Sequence, residues 1–315
     1  MTSNKSFASN AKDLKLHRYI ISQSTVRRFW RPPHFQNALD SNKIKHWLTH
    51  HLVSDNTLAD IIESTVGAAF LSQSIDGAVY AATQLKLPLE SIKVWSDLRH
   101  IWTSSPASAT GQINIDVVRV GEMLGYQFKN YLLVQEALTH GSVMDSLVPC
   151  YERLEFLGDA ILDFFVTQYI YQKHPTAAPG VLHNLRKSSV NHHILSAICL
   201  NMGLDKHIIH VSAEIAASIL KAETIHKDMQ SKGKDTDEYW LHFNPPKVLS
   251  DVIESLMGAI LVDSEFDINQ VEEFFERWFK PILEKHISVE TMAVHPMSQL
   301  NTLVQNLGCI NWTIQ

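Results

Sequence analysis

The segment LADIIESTVGAAF (58–70) recurs without a gap as LSDVIESLMGAIL (249–261). Asp60, Glu63, Ser64 and Gly67 fall on Asp251, Glu254, Ser255 and Gly258. Upstream, LHRYII (16–21) matches LDKHII (204–209) at almost the same offset. One structural unit is therefore encoded twice, and the chain is expected to fold as two related halves. The copies are unequal. Only residues 1–15 precede the first LHRYII, whereas a long stretch precedes the second, so the chain is expected to start partway through its first unit. Apolar residues recur at three and four through LLVQEALTH, HHILSAICLNMGL and VEEFFERWFKPILEKH, the period of amphipathic helices. Alternating, strand-like patterning is nearly absent before the last few residues, and the expected class is all-α.

The second half holds a segment that is hard to place, YERLEFLGDAILDFF (151–165). Glu152, Glu155, Asp159 and Asp163 sit among leucines, phenylalanines and an isoleucine, with Arg153 alone for cation. At about 100° per residue these acids fall in one narrow arc of a helix whose remaining circumference is mostly apolar. A helix that is apolar on most sides is enclosed by neighbours, so the acidic stripe faces something at least partly enclosed. Two like charges about 4 Å apart repel by about 4 kcal/mol at an effective dielectric near 20. No lysine is interleaved at helical spacing, so the positive charge must come from elsewhere. Asp251 and Glu254, three residues apart, share a face of their own helix, and Gly258 leaves room there for a close approach. Hard oxygen ligands converging from two helices suit Mg²⁺ or Mn²⁺, and neither motif offers the histidine or thiolate that zinc favours. Glu152 and Asp163 have an equally good reading as solvated or structural acids.

Bulk properties narrow the class. Of 315 residues, 45% are hydrophobic and 19% charged, a globular composition. The net charge of −6 does not by itself suggest a nucleic-acid binder, although ligand acids can mask basic residues elsewhere. Cys150, Cys199 and Cys309 are far apart, which fits a reducing compartment. The first residues carry no secretory signal and no apolar run approaches the ~20 residues needed to span a bilayer. An intracellular protein, in cytoplasm or nucleus, is expected. Two polar stretches mark boundaries: IWTSSPASATGQ (101–112) reads as a linker, and KDMQSKGKDTDEYWLHFNPP (227–246) as a long loop or insertion.

ERLEFLGDAILDFF resembles the signature helix of the ribonuclease III family. LGYQFKNYLLVQEALTHGS (124–142) resembles the family's opening helix pair, and GVLHNLRKSSVNHHILSAICLNMGLDKHI (180–208) the helices after the signature. LSDVIESLMGAILVDS (249–264) is similar to the second metal-binding motif. Two such domains in one chain resemble the Dicer type, in its fungal form. The resemblance implies a first ribonuclease III domain over 1–100, truncated at its N-terminus, and a linker over 101–116. A complete second domain over 117–286 follows, with an insertion at about 221–246. HPMSQLNTLVQNLGCINWTIQ (295–315) resembles the beginning of an α+β double-stranded-RNA-binding domain.

By resemblance, the metal ligands and catalytic residues fall on Glu155, Asp159, Asp251 and Glu254. Glu152 and Lys247 become supporting residues, Lys247 near the scissile phosphate, with a solvated surface lysine as its plain alternative. Phe156 becomes the aromatic through which the two domains pair within the chain. Arg186, Lys187 and Asn191 either touch an RNA backbone or decorate a polar face. Asp60 and Glu63 remain as half a site. The implied activity is divalent-metal-dependent hydrolysis of double-stranded RNA in RNA silencing, of the antiviral or transposon-defence kind, weak or strand-nicking for this chain alone. A non-catalytic RNA-binding or scaffolding remnant is the alternative. A ferritin-like di-metal bundle needs two E-x-x-H motifs, and only Glu223–His226 presents one in a fitting context.

Overall fold

The computed structural model describes residues 3–20, 54–89, 91–102, 115–144, 146, 148–231 and 244–286. The chain divides into two compact units, Met1–Ile101 and Trp102–Gln315. Both are helical, and no strand occurs among the described residues. The expected double-stranded-RNA-binding start at 295–315, Cys309 and most of the linker lie outside the described residues.

In the first unit, α1 (Asn4–Asp13) begins where the Ser3 hydroxyl accepts from Ser6 N, and α2 (Asp55–Gln84) where Ser54 accepts from Thr57 N. Both are hydroxyl N-caps that satisfy an otherwise unpaired amide. Phe7, Ala8 and Ala11 of α1 bury against Leu58, Ala59, Ile62 and Leu85. Asn10 secures the far end, its amide donating to the carbonyls of Leu85 and Lys86 at 3.1 and 2.9 Å. α2 is kinked at Gln73–Ser74, where Ser74 takes a positive φ of 62°. A short α3 (Leu98–Trp102) closes the described part, so residues 101–102 are helical and not linker.

The second unit is built around one helix. α4 (Val117–Leu124), α5 (Tyr131–Leu138), α6 (Glu152–Lys173), α7 (Pro179–Ser189), α8 (His192–Met202) and α9 (Ala213–Ser231) precede α10 (Val248–Asp263). α11 (Ile268–Trp278) and α12 (Lys280–His286) follow it. Of residues 248–263, only Glu254 and Val262 are not buried. A helix apolar on nearly every side must be surrounded, and α10 packs against α5, α6, α8 and α11. Polar groups tie it in place. Ser255 donates to the Ala137 carbonyl at 2.6 Å, satisfying an acceptor at the end of α5. Buried Asp263 accepts from Tyr126 Oη, Lys129 N and Asn130 N at 2.9, 2.8 and 2.7 Å.

The two matching segments LHRYII and LDKHII take the same local backbone course. Leu16–Tyr19 and Leu204–His207 are both 3₁₀ turns, entered through left-handed Lys15 (φ 58°) and Gly203 (φ 75°). They are left through extended Ile20 (φ −74°, ψ 122°) and Ile208 (φ −70°, ψ 123°). In the second unit the exit continues into a single parallel bridge between Thr139 and Ile209. Thr139 in turn accepts from Tyr151 N at 3.0 Å, which fixes the start of α6.

One boundary needs correction. α9 continues to Ser231, so 221–231 of the expected insertion are helical. The polar residues there are held in place: Glu223 pairs with Lys227 one turn on at 2.6 Å, and His226 and Gln230 both reach Asn201 Oδ1 at 2.9 Å. Pairs at this spacing support an exposed helix. Residues 232–243 lie outside the described part.

Candidate metal centre

α6 and α10 cross at Gly158 and Gly258. A Cβ on Gly158 would overlap the Glu254 carbonyl, and one on Gly258 would overlap that of Leu154. Only glycine permits this approach, with the two backbones in direct contact. The crossing sets Glu155 and Asp159, on the turns either side of Leu157–Gly158, opposite Asp251 and Glu254. Glu155, Asp251 and Glu254 each offer an oxygen within 4.8 Å of the others. Asp159 is outside that trio but close enough for its charge to act on Glu254.

The electrostatics are those of a crowded acidic cleft. The Glu254 carboxyl is pushed up to about 8, first by burial and then by the charges of Asp159, Asp251 and Glu155. Asp159 is also raised, by partial burial and then by Asp163 and Glu155. The missing positive charge arrives from the residue that precedes α10. Lys247 Nζ donates to Glu155 Oε1 at 2.8 Å and to Asp251 Oδ1 at 2.7 Å. Burial alone would lower the Lys247 ammonium, but these two bonds to carboxylates hold it above the usual lysine range. The donor set is all carboxyl oxygen, and a divalent hard cation fits it.

Tyr151 is not legible in this role from the sequence, because its partner lies 100 positions away. Its buried hydroxyl donates to Asp251 Oδ2 at 3.1 Å, while Ser250 Oγ lies 3.3 Å from Oδ1. Burial, and then Asp251, push the Tyr151 phenol up, so it stays a donor. Tyr151 thereby orients one Asp251 oxygen, and Lys247 Nζ holds the other at 2.7 Å. Residues that orient a ligand in this way typically change metal affinity by about 10–100-fold when removed. Tyr151→Phe is expected to weaken Mn²⁺ binding by about tenfold with little loss of stability, as read by calorimetric titration.

The remaining sequence candidates have other surroundings. Glu152 is exposed at the start of α6. Phe156 is 82% exposed, so the apolar circumference of α6 is not all covered. Asp163 pairs with Arg186 at 3.1 Å, and Lys187 is exposed. Asn191 caps α8, accepting from Ile194 N at 3.0 Å and donating to Ser188 O at 2.6 Å. In the first unit, Asp60 and Glu63 lie exposed on α2. Ser64, the counterpart of buried Ser255, donates only within its own helix to Ile61 O. Gly67, the counterpart of Gly258, has none of the described residues within 4 Å of where a Cβ would stand. Among the described residues no third carboxylate joins Asp60 and Glu63.

The ribonuclease III domain family matches residues 152–265, which contain α6 and α10. Dicer-like protein 1 of Neosartorya fischeri is 31% identical over 99% of this chain, which covers 21% of that protein. Endoribonuclease Dicer homolog 2 of Arabidopsis thaliana is 37% identical over 79% of this chain, covering 17% of that protein. The nuclease domain of ribonuclease III from Campylobacter jejuni is 30% identical, covering 52% of this chain and 99% of that one, with a TM-score of 0.39. The chain thus spans about a fifth of the length of the curated relatives it matches. With the signature helix and the D-x-x-E-S-x-x-G helix joined through paired glycines, the chain belongs to the ribonuclease III family, of the Dicer type.

Proposed function

We propose that this chain is the tandem ribonuclease III portion of a Dicer-like endoribonuclease that cuts double-stranded RNA in RNA silencing, the antiviral or transposon-defence role included. The observation that carries the reading is the meeting of Glu155 with Asp251 and Glu254 across the Gly158–Gly258 crossing. Glu155, Asp159, Asp251 and Glu254 would hold Mg²⁺ or Mn²⁺. Bound there, a divalent ion lowers the pKa of a coordinated water and offsets charge on the phosphate. The protein's own part is to orient and to screen. Tyr151 fixes Asp251, burial keeps Glu254 in place, and Lys247 brings a cation to the cleft mouth where a phosphate would arrive. No side-chain nucleophile is needed. Recognition of the duplex is by shape and backbone, as an A-form helix dictates.

The first unit is read as a halved ribonuclease III domain, the second as a complete one, and 295–315 as the start of a double-stranded-RNA-binding domain. The exposed Phe156 face is the surface through which the two domains pair, in cytoplasm or nucleus. A second reading, a non-catalytic RNA-binding or scaffolding remnant, is favoured by Asp60 and Glu63 standing exposed with no further acid beside them among the described residues. Incubation of the chain with end-labelled duplex RNA and Mg²⁺ or Mn²⁺ separates the two. Weak cutting, mostly of one strand and absent in Glu254→Gln, is expected. Efficient cutting of both strands counts against the halved site, and no cutting with intact RNA binding favours the remnant.

A further inference from the structure

Lys247 sits one turn before Asp251, and its side chain is 72% exposed while the Asp251 side chain is only 7% exposed. Its ammonium bonds Glu155 on α6 and Asp251 on α10 together, at 2.8 and 2.7 Å. Those are two of the three carboxylates that could close on a metal ion. The other oxygen of Asp251 is already occupied by the Tyr151 hydroxyl at 3.1 Å. An ammonium within hydrogen-bonding reach of both acids and a divalent ion bound to the same acids would repel each other at close range. The four-carbon stem of lysine is flexible, so the head group can swing out to solvent without disturbing the helix crossing.

We infer that Lys247 is a resident counter-cation that competes with the divalent ion for Glu155 and Asp251. This rests on the two-helix metal site proposed above. Metal uptake is then an exchange: the ammonium releases both carboxylates as the ion takes them. Lys247 thereby sets the metal concentration at which the site fills. Its sign is the reverse of that for a residue that helps to hold the ion, for which removal weakens binding.

The test is calorimetric titration of the full chain with Mn²⁺, without RNA, for the parent, Lys247→Met and Lys247→Arg. Lys247→Met is expected to bind Mn²⁺ about tenfold more tightly than the parent, the change that two partly exposed ion pairs can supply. Lys247→Arg, which keeps the charge, is expected to bind like the parent. Equal or weaker binding by Lys247→Met, with the parent binding normally, overturns the competition. Failure of both parent and Lys247→Met to bind Mn²⁺ overturns the metal site itself, and the competition with it.

Discussion

In chelator at pH 8, Glu254→Gln is expected to melt roughly 5–10 °C above the parent chain, although it removes a proposed metal ligand. The reason is the crowded cleft. The Glu254 carboxyl is raised from 4.5 to about 8 by burial and by three neighbouring acids. A carboxyl raised in the folded state keeps its proton there after the unfolded chain has lost its own. Its contribution to stability is therefore complete below about pH 4.5 and is lost as pH rises through about 8. The full shift would correspond to about 5 kcal/mol, and residual solvent contact reduces this to roughly 2–3 kcal/mol. Glutamine has no proton to lose and keeps the neutral shape throughout. Parent and variant should therefore converge near pH 4.5 and separate toward pH 8. Saturating Mn²⁺ reverses the order, because an ion that binds the folded parent stabilises it by mass action and finds one ligand fewer in the variant. Thermal melts at pH 4.5 and 8, with chelator and with Mn²⁺, read all four conditions. A variant less stable than the parent at pH 8 in chelator would show that Glu254 is not under electrostatic load.

The second large effect has opposite signs at two copies of one position. Gly258→Ala inserts a methyl group into the Leu154 carbonyl and drives α10 away from α6. Overpacking at a direct backbone contact is expected to cost about 3 kcal/mol or more and to separate the acid pairs. Gly67→Ala, the matched change on α2, meets none of the described residues within 4 Å. There the gain in helix propensity dominates, about 0.5–1 kcal/mol in favour of alanine. Denaturant unfolding of the two variants reads both signs. A destabilising Gly67→Ala would mean that another helix covers that face of α2 in solution.

Helical content was legible because it is a local pattern. Period 3.6 is written in side-chain order, and LADIIESTVGAAF carries its likeness to LSDVIESLMGAIL residue by residue. The close approach at Gly258 was also legible, since a glycine one turn past two acids on a helix face has few other uses. Its partner Gly158 was not singled out, because a glycine inside a signature gives no sign of what it touches. Tyr151 and Asp263 were missed for a related reason: their partners are distant in sequence and become neighbours only when α10 docks. The end of α9 was misplaced because charged and amide side chains read as loop, while Asn201 on α8 gives two of them a partner. Lys15 also escaped notice. It adopts the left-handed turn that Gly203 takes in the second copy, at the roughly 1–2 kcal/mol that a Cβ costs there.

The buried central position of α10 also bears on how the protein is made. Glu155 and Lys247, joined at 2.8 Å, stand 92 residues apart in sequence. Contacts of such long span form late, since a large loop must close before they can be rewarded. As the ribosome releases the chain, the signature helix emerges with no opposing acids and no route to them. The two acid pairs then meet in a single event, when α10 seats against α6, and shorter nascent chains hold only half of the carboxylate cluster.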